Sequence, residues 1–154
     1  MTEILFYHLE RAGLEDVLPG LLEKTVERGW KALVCLSTPE RLEALDSHLW
    51  TFRDESFLPH ATDKDPRAAS QPVLLGTDGR NRNDANVVFY ADGAAPADWS
   101  AEALGTLERV VYLFDGRDAA ATQAARDHWK EARATGFSTT YWQQSETGKW
   151  ERKA

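Results

Sequence analysis

Short apolar runs alternate along this chain with segments of helical spacing. Glu3–Leu9, "EILFYHL", is short, apolar and aromatic, the pattern of a buried strand. From Leu14 to Gly29 the period changes. Leu18, Leu21, Leu22 and Val26 share one side of a helix, and Gly29 supplies its stop. Pro19 and Gly20 interrupt that pattern, so the helix is expected to start late or to kink there. Trp30–Ser37 is a second strand. Then Ser37 or Thr38 can cap a helix, Pro39 suits its first turn, and Leu42, Leu45 and Leu49 form its stripe. Pro72–Thr77 and Asn86–Asp92 give two more strands around the turn-rich "DGRNRNDA". A short helix is expected near Ser100–Leu104 and a fifth strand at Glu108–Asp115. Arg117–Gly136 is the clearest helix, and Phe137–Gln144 is a closing strand.

Strand, helix, strand, helix in that order favours right-handed parallel crossovers. The pattern predicts an α/β fold: a Rossmann-like, three-layer, open and mostly parallel sheet with helices on both faces. Residues 1–144 read as a single domain and 145–154, "SETGKWERKA", as a short flexible C-terminal tail. The glycine loop that such folds use for nucleotides is missing. The first strand runs into "HLERAGLED", with Gly13 alone, and no G-x-x-x-x-G-K-[ST] occurs. "GTDGR" follows a strand but leads to another strand, as a turn would.

Composition narrows the class. With 154 residues, 42% of them apolar and 28% charged, the chain can bury the core of one globular domain. No apolar run approaches the roughly 20 residues of a membrane helix, and the N-terminus has no basic leader, so a cytoplasmic location is expected. Cys35, the single cysteine, lies in "ALVCL" and reads as a buried structural thiol. Net charge is −7, which argues against strong direct nucleic-acid binding. The charge is uneven. From residue 117 onward seven basic residues face five acidic ones, giving +2 and leaving −9 on residues 1–116. That end can accept an acidic partner.

Catalytic and metal patterns are absent from the sequence. His8, His48, His60 and His128 are scattered without metal-ligand spacing, and "DGRNRND" puts Arg80 and Arg82 among would-be calcium ligands. There is no G-x-S-x-G elbow. No catalytic residue, metal or cofactor is therefore expected, and the favoured class is a non-enzymatic interaction protein. The alternative is a small Rossmann-like nucleotide-binding or hydrolytic enzyme.

The Arg117–Gly136 helix carries the candidate surface. At 100° per residue Ala121, Ala124, Ala125, His128 and Ala132 lie on one side, small enough to approach a sheet. Thr122, Arg126, Trp129, Lys130 and Arg133 fall in a stripe about 100° wide on the expected outward side. One aromatic among cations suits an acidic peptide, with apolar contact from Trp129 and charge-assisted hydrogen bonds from Arg126, Lys130 and Arg133. A solvated polar face with Trp129 folded over the sheet edge is the bland alternative.

Three stretches, "ILFYHL", "LWTFRDESFLPH" and "WKEARATGF", occur in the order found in the chi subunit of bacterial DNA polymerase III holoenzyme. The chain resembles that family over essentially its whole length, most specifically at Leu49–His60 and least between Thr62 and Trp99. The resemblance implies a Rossmann-like accessory subunit without catalysis of its own. Its implied role is to link the clamp loader, through the psi subunit, to the acidic C-terminal tail of single-stranded DNA-binding protein, which ends in proline–phenylalanine. Arg126, Trp129 and Lys130 match the family's tail-binding helix. A basic position one turn earlier is Thr122 here, a loss that Arg133 or Arg117 could offset, and an apolar wall position falls near Asp115. For psi, or an alternative clamp-loader or helicase partner, the matching aromatic is Phe57, with Leu58 and Trp50 as neighbours. Leu49 and Trp50 are expected to end the second helix against the core, leaving Phe57 and Leu58 presented.

Overall fold

Strands form where β-branched and aromatic residues run together, and helices where leucines or alanines recur at helical spacing. A computed structural model describes residues 2–10, 12–51 and 58–154. In chain order the elements are β1 (Glu3–Leu9), α1 (Leu14–Glu27), β2 (Ala32–Cys35), α2 (Pro39–Thr51), β3 (Ala61–Thr62), β4 (Val73–Gly76), β5 (Val87–Tyr90), α3 (Ala101–Leu104), β6 (Arg109–Asp115), α4 (Ala119–Thr135), β7 (Ser138–Gln144) and β8 (Trp150–Arg152). The strands form one sheet in the order β3-β4-β2-β5-β6-β1-β7-β8. Every neighbouring pair is parallel except β7 with β8. This is the open α/β sheet the pattern predicts.

The central strands are buried on both faces, so their side chains divide between two cores. On one face Leu18 and Leu22 of α1 and Leu42, Leu45 and Leu49 of α2 pack over Val34, Val73, Leu75, Phe89 and Val111. On the other, Ala125 and Ala132 bring α4 close to Phe6, Tyr112 and Phe114, with Trp99 and Leu104 filling beside them. Cys35 belongs to this second layer, and burial pushes its thiol up to about 12.

Helix α1 does not start late; it runs from Leu14 to Glu27 with Pro19 inside it. Pro19 has no amide to give the carbonyl of Glu15, four residues earlier. His48 of α2 supplies the missing donor, its Nε2 standing 2.7 Å from that oxygen. The lost helical bond becomes a bond between helices.

Two strands escape the sequence pattern. β3 is only two residues long and pairs with β4 at the sheet edge. β8 arises within residues 145–154, where a tail was expected. A turn at Ser145–Lys149, with Gly148 at φ +83°, returns the chain alongside β7. Trp150 then meets Tyr7 edge-on at 4.9 Å, and this one aromatic anchors an otherwise polar decapeptide.

Candidate functional site

Helix α4 begins where β6 ends. Asp118 caps it, its carboxylate accepting from the amides of Ala120 (2.9 Å) and Ala121 (3.4 Å). Gly136, at φ +93°, closes the other end. The turn between β6 and α4 must pass beneath the His8 imidazole. A Cβ on Gly116 would stand 1.8 Å from its Nε2, so only glycine fits there.

The structure places the candidate cations outward and the candidate aromatic inward. Arg126, Lys130 and Arg133 are exposed. Trp129 is half-buried, edge-to-face on Phe6 of β1 (5.4 Å, 78°) and on Tyr141 of β7 (5.7 Å, 85°). It does not belong to the outward stripe. It sits four residues after Ala125 and three before Ala132, both buried, and so follows their line toward the sheet. Arg133 still reaches it, its guanidinium carbon 5.6 Å from the ring centroid. His128 faces inward as well, its Nδ1 accepting from Trp99 Nε1 at 3.0 Å.

Sequence reasoning missed Tyr141. It stands against Trp129 on the α4 side of β7, and its hydroxyl lies 2.7 Å from His8 Nδ1. Burial raises the Tyr141 phenol, and the positive charge of Arg126 opposes that shift. The signal was present: Phe137, Thr139 and Tyr141 alternate along the strand, so one side of β7 is aromatic at both ends of that run.

Among the described residues no carboxylate comes within 4 Å of the Arg126, Lys130 or Arg133 side chains. Thr122 is turned back on its own helix, its hydroxyl donating to the Asp118 carbonyl at 2.9 Å. Arg117 is 3.1 Å from Asp115. Hydrogen bonding from Arg117 holds that carboxyl below its usual range. Of the two candidates to stand in for a cation at Thr122, Arg117 is thus paired with a carboxylate, whereas Arg133 lies over Trp129 with no described carboxylate beside it.

The second candidate region lies at the end of α2. Phe57 lies outside the described residues. Leu58 is 3% exposed and belongs to the α1–α2 core, so it is not presented as expected. Leu49 ends α2 against the core, but Trp50 does not. At 52% it is the exposed large hydrophobic residue among those described. Its ring rests on the buried His60, 4.3 Å between centroids. His60 is fixed from both ends, with Nδ1 2.8 Å from the Leu58 carbonyl and Nε2 3.1 Å from an Asp46 carboxylate oxygen.

A crevice of about 560 Å³ opens where β1, β5 and β6 end, the usual ligand position in a doubly wound sheet. The two arginines among its described lining residues are paired, Arg41 with Asp92 (3.0 Å) and Glu15 (3.2 Å), and Arg117 with Asp115. Asp118 adds a fourth carboxylate, which disfavours phosphate there. Among the described residues no group of three or more metal-ligating side chains is gathered, and no helix is long and apolar enough to cross a membrane.

Comparison with known proteins gives one consistent result. A family model described as "DNA polymerase III chi subunit, HolC" matches residues 1–140. The DNA polymerase III subunit chi of Pseudomonas aeruginosa is 31% identical over 143 residues, 89% of this chain and 93% of that protein. The probable DNA polymerase III subunit chi of Rickettsia prowazekii is 27% identical over 88 residues, 57% of this chain; there the chain spans about half of the relative's length (53%). Among solved structures, the C-terminal domain of the DEAD-box protein Dbp5 superposes with a TM-score of 0.55 at 14% identity, covering 92% of this chain and 90% of that one. That last likeness is one of fold.

Proposed function

The chain belongs to the DNA polymerase III chi subunit family, an accessory subunit of the replicative polymerase, and from that premise we propose that it acts as a non-catalytic tether. One surface takes the acidic C-terminal tail of single-stranded DNA-binding protein, and another faces the clamp loader.

The observation that carries the tail assignment is the uncompensated positive charge on α4. Arg126, Lys130 and Arg133 stand free of the described carboxylates around a half-buried Trp129, in a chain whose net charge is −7. An acidic segment ending in an aromatic residue suits this place. Its ring can lie against Trp129 and Tyr141, and its carboxylates can accept from the cations. For the clamp-loader side, psi or another partner in its place, Trp50 is the exposed apolar anchor, its ring resting on the buried His60, and Leu58 lies in the core nearby in sequence.

Calorimetry with a peptide of acidic residues ending in Pro-Phe tests the first assignment. Binding is expected to weaken as salt rises and to fall roughly 10-fold or more on Arg126→Ala, as loss of one charge-assisted hydrogen bond implies. Undetectable binding at high micromolar protein would refute it. Trp50→Ala is expected to leave peptide binding intact while removing the clamp-loader partner from a pull-down. Loss of both together would assign Trp50 to the fold instead.

A further inference from the structure

The face of the sheet away from α4 carries a second cationic, aromatic surface. Between the C-terminal half of α1 and strands β1, β5 and β6 lies a pocket of about 210 Å³. Its floor is apolar, formed by Leu5, Val87, Phe89 and Val111, and its mouth holds Lys24, Arg28 and Arg109. Tyr7, Leu21 and Lys24 also line a neighbouring depression of about 400 Å³ that runs toward Trp142 and Trp150. The two make one groove along α1.

The charges at its mouth are gathered against their own repulsion. Lys24, in the last turn of α1, and Arg28, at its C-cap, are like charges four residues apart, and they repel each other. The guanidinium carbons of Arg28 and Arg109 lie 5.0 and 5.4 Å from the centroid of the same ring, Trp30. Among the described residues no carboxylate lies within 4 Å of the Lys24 or Arg28 side chain. Arg109 Nε is 3.5 Å from Glu3, too poorly aligned for a hydrogen bond, and is buried with its donor unmet. The carboxylate of Asp16, in the neighbouring depression, is occupied by the Gly13 amide. Stacking on Trp30 fixes two guanidinium groups before anything binds, which lowers the ordering cost of a contact.

We propose that this groove is a docking site for an acidic peptide segment carrying an apolar side chain. The side chain enters the pocket over Val111 and Phe89, and the flanking carboxylates accept from Arg28, Arg109 and Lys24. Charge complementarity selects this occupant. The groove is positive within an acidic chain, and the −9 carried by residues 1–116 opposes a long polyanion such as single-stranded DNA.

The site is independent of the α4 surface, and the probe separates the two. An acetylated, C-terminally amidated peptide Asp-Glu-Leu-Phe-Asp-Glu lacks the Pro-Phe end that the proposed α4 ligand carries. Titrated to about 1 mM into the ¹⁵N-labelled full chain, it is expected to shift the amides of Tyr7, Leu21 and Val111 and the Trp30 indole. The double substitution Lys24→Gln/Arg28→Gln, at two exposed positions, is expected to weaken it about tenfold, while Arg126→Ala leaves it unchanged. Shifts confined to α4 and β7, equal binding by the double variant with its melting curve intact, or stronger shifts of the same amides by an oligo-dT would each overturn the proposal. Failure of a Pro-Phe-ending peptide to bind α4 would count against the tether reading and leave this groove standing.

Discussion

Trp129→Ala separates an aromatic on the solvent side of α4 from one wedged between α4 and the sheet edge. Removing a fully buried Trp costs about 3–5 kcal/mol. Trp129 is half-buried, which reduces the burial part to about 2 kcal/mol. It also loses edge-to-face contacts with Phe6 and Tyr141, each worth about 0.5–1.5 kcal/mol. The two parts overlap, and a loss of about 2–3 kcal/mol is expected. For a domain of this size that lowers Tm by roughly 5–10 °C. Urea unfolding at 25 °C is the matching equilibrium measurement, with the midpoint falling and the slope unchanged. Trp129→Phe keeps a ring against Phe6 and should recover more than half of the loss. A Trp129→Ala protein as stable as the parent would refute the packing argument and return Trp129 to the outward stripe. Peptide binding must then be compared well below the variant's melting range, so that unfolding is not read as lost affinity.

Other residues give narrower tests. His48→Ala strips the Glu15 carbonyl of the donor that replaces Pro19's missing amide; a loss of about 1–2 kcal/mol in urea unfolding is expected, and no change would show that water serves as well. Cys35, buried and with its thiol at about 12, should react with a thiol reagent only as fast as the protein unfolds; reaction of the native protein at the rate of free cysteine would contradict its burial. Asp78 is held at about 2 by hydrogen bonds from Arg82 (2.6 Å) and from the Arg80 amide. Because its folded value is depressed, the pair's stabilisation is present above the carboxyl's ordinary value of 3.8 and disappears as pH falls toward 2. The pair is exposed, so its contribution is small. A carboxyl titration by NMR should give a midpoint near 2 that moves up on Arg82→Ala.

The strands that became legible were those whose side chains are buried on both faces, such as "VLLG" and "VVFY", because a short continuous apolar run between turn residues has to be covered on both sides. β3 and β8 were not, since a two-residue strand and a three-residue return strand carry no period. β8 depends on Trp150 finding Tyr7, a contact 143 positions apart in sequence that no local window contains. Arg126, Lys130 and Arg133 were legible as exposed cations because helical angles fix their direction. Trp129 was not, because its angle lies between the two sides and its contacts with Phe6 and Tyr141, from other elements, decide which it joins. Tyr141 and the Arg28–Trp30–Arg109 stack were missed for one reason. Each joins residues from different elements, and spacing along the chain says nothing about which elements become neighbours.

The overall acidity of the chain and its two cationic surfaces answer different needs. At physiological salt a fixed charge is felt over about 8 Å. A peptide tail a few residues long, docked on α4 as proposed, would therefore respond mainly to Arg126, Lys130 and Arg133. A strand of DNA crossing the same spot extends well beyond that distance and meets the negative remainder, −9 over residues 1–116. Nucleic-acid affinity grows with the number of phosphates neutralised, and on this surface the count cannot rise past the few cations of one patch. A tether that worked beside single-stranded DNA would need this discrimination, to hold the protein coating the strand without competing for the strand itself. Replacing acidic residues outside the two patches by neutral ones would leave both cationic surfaces intact and yet remove it.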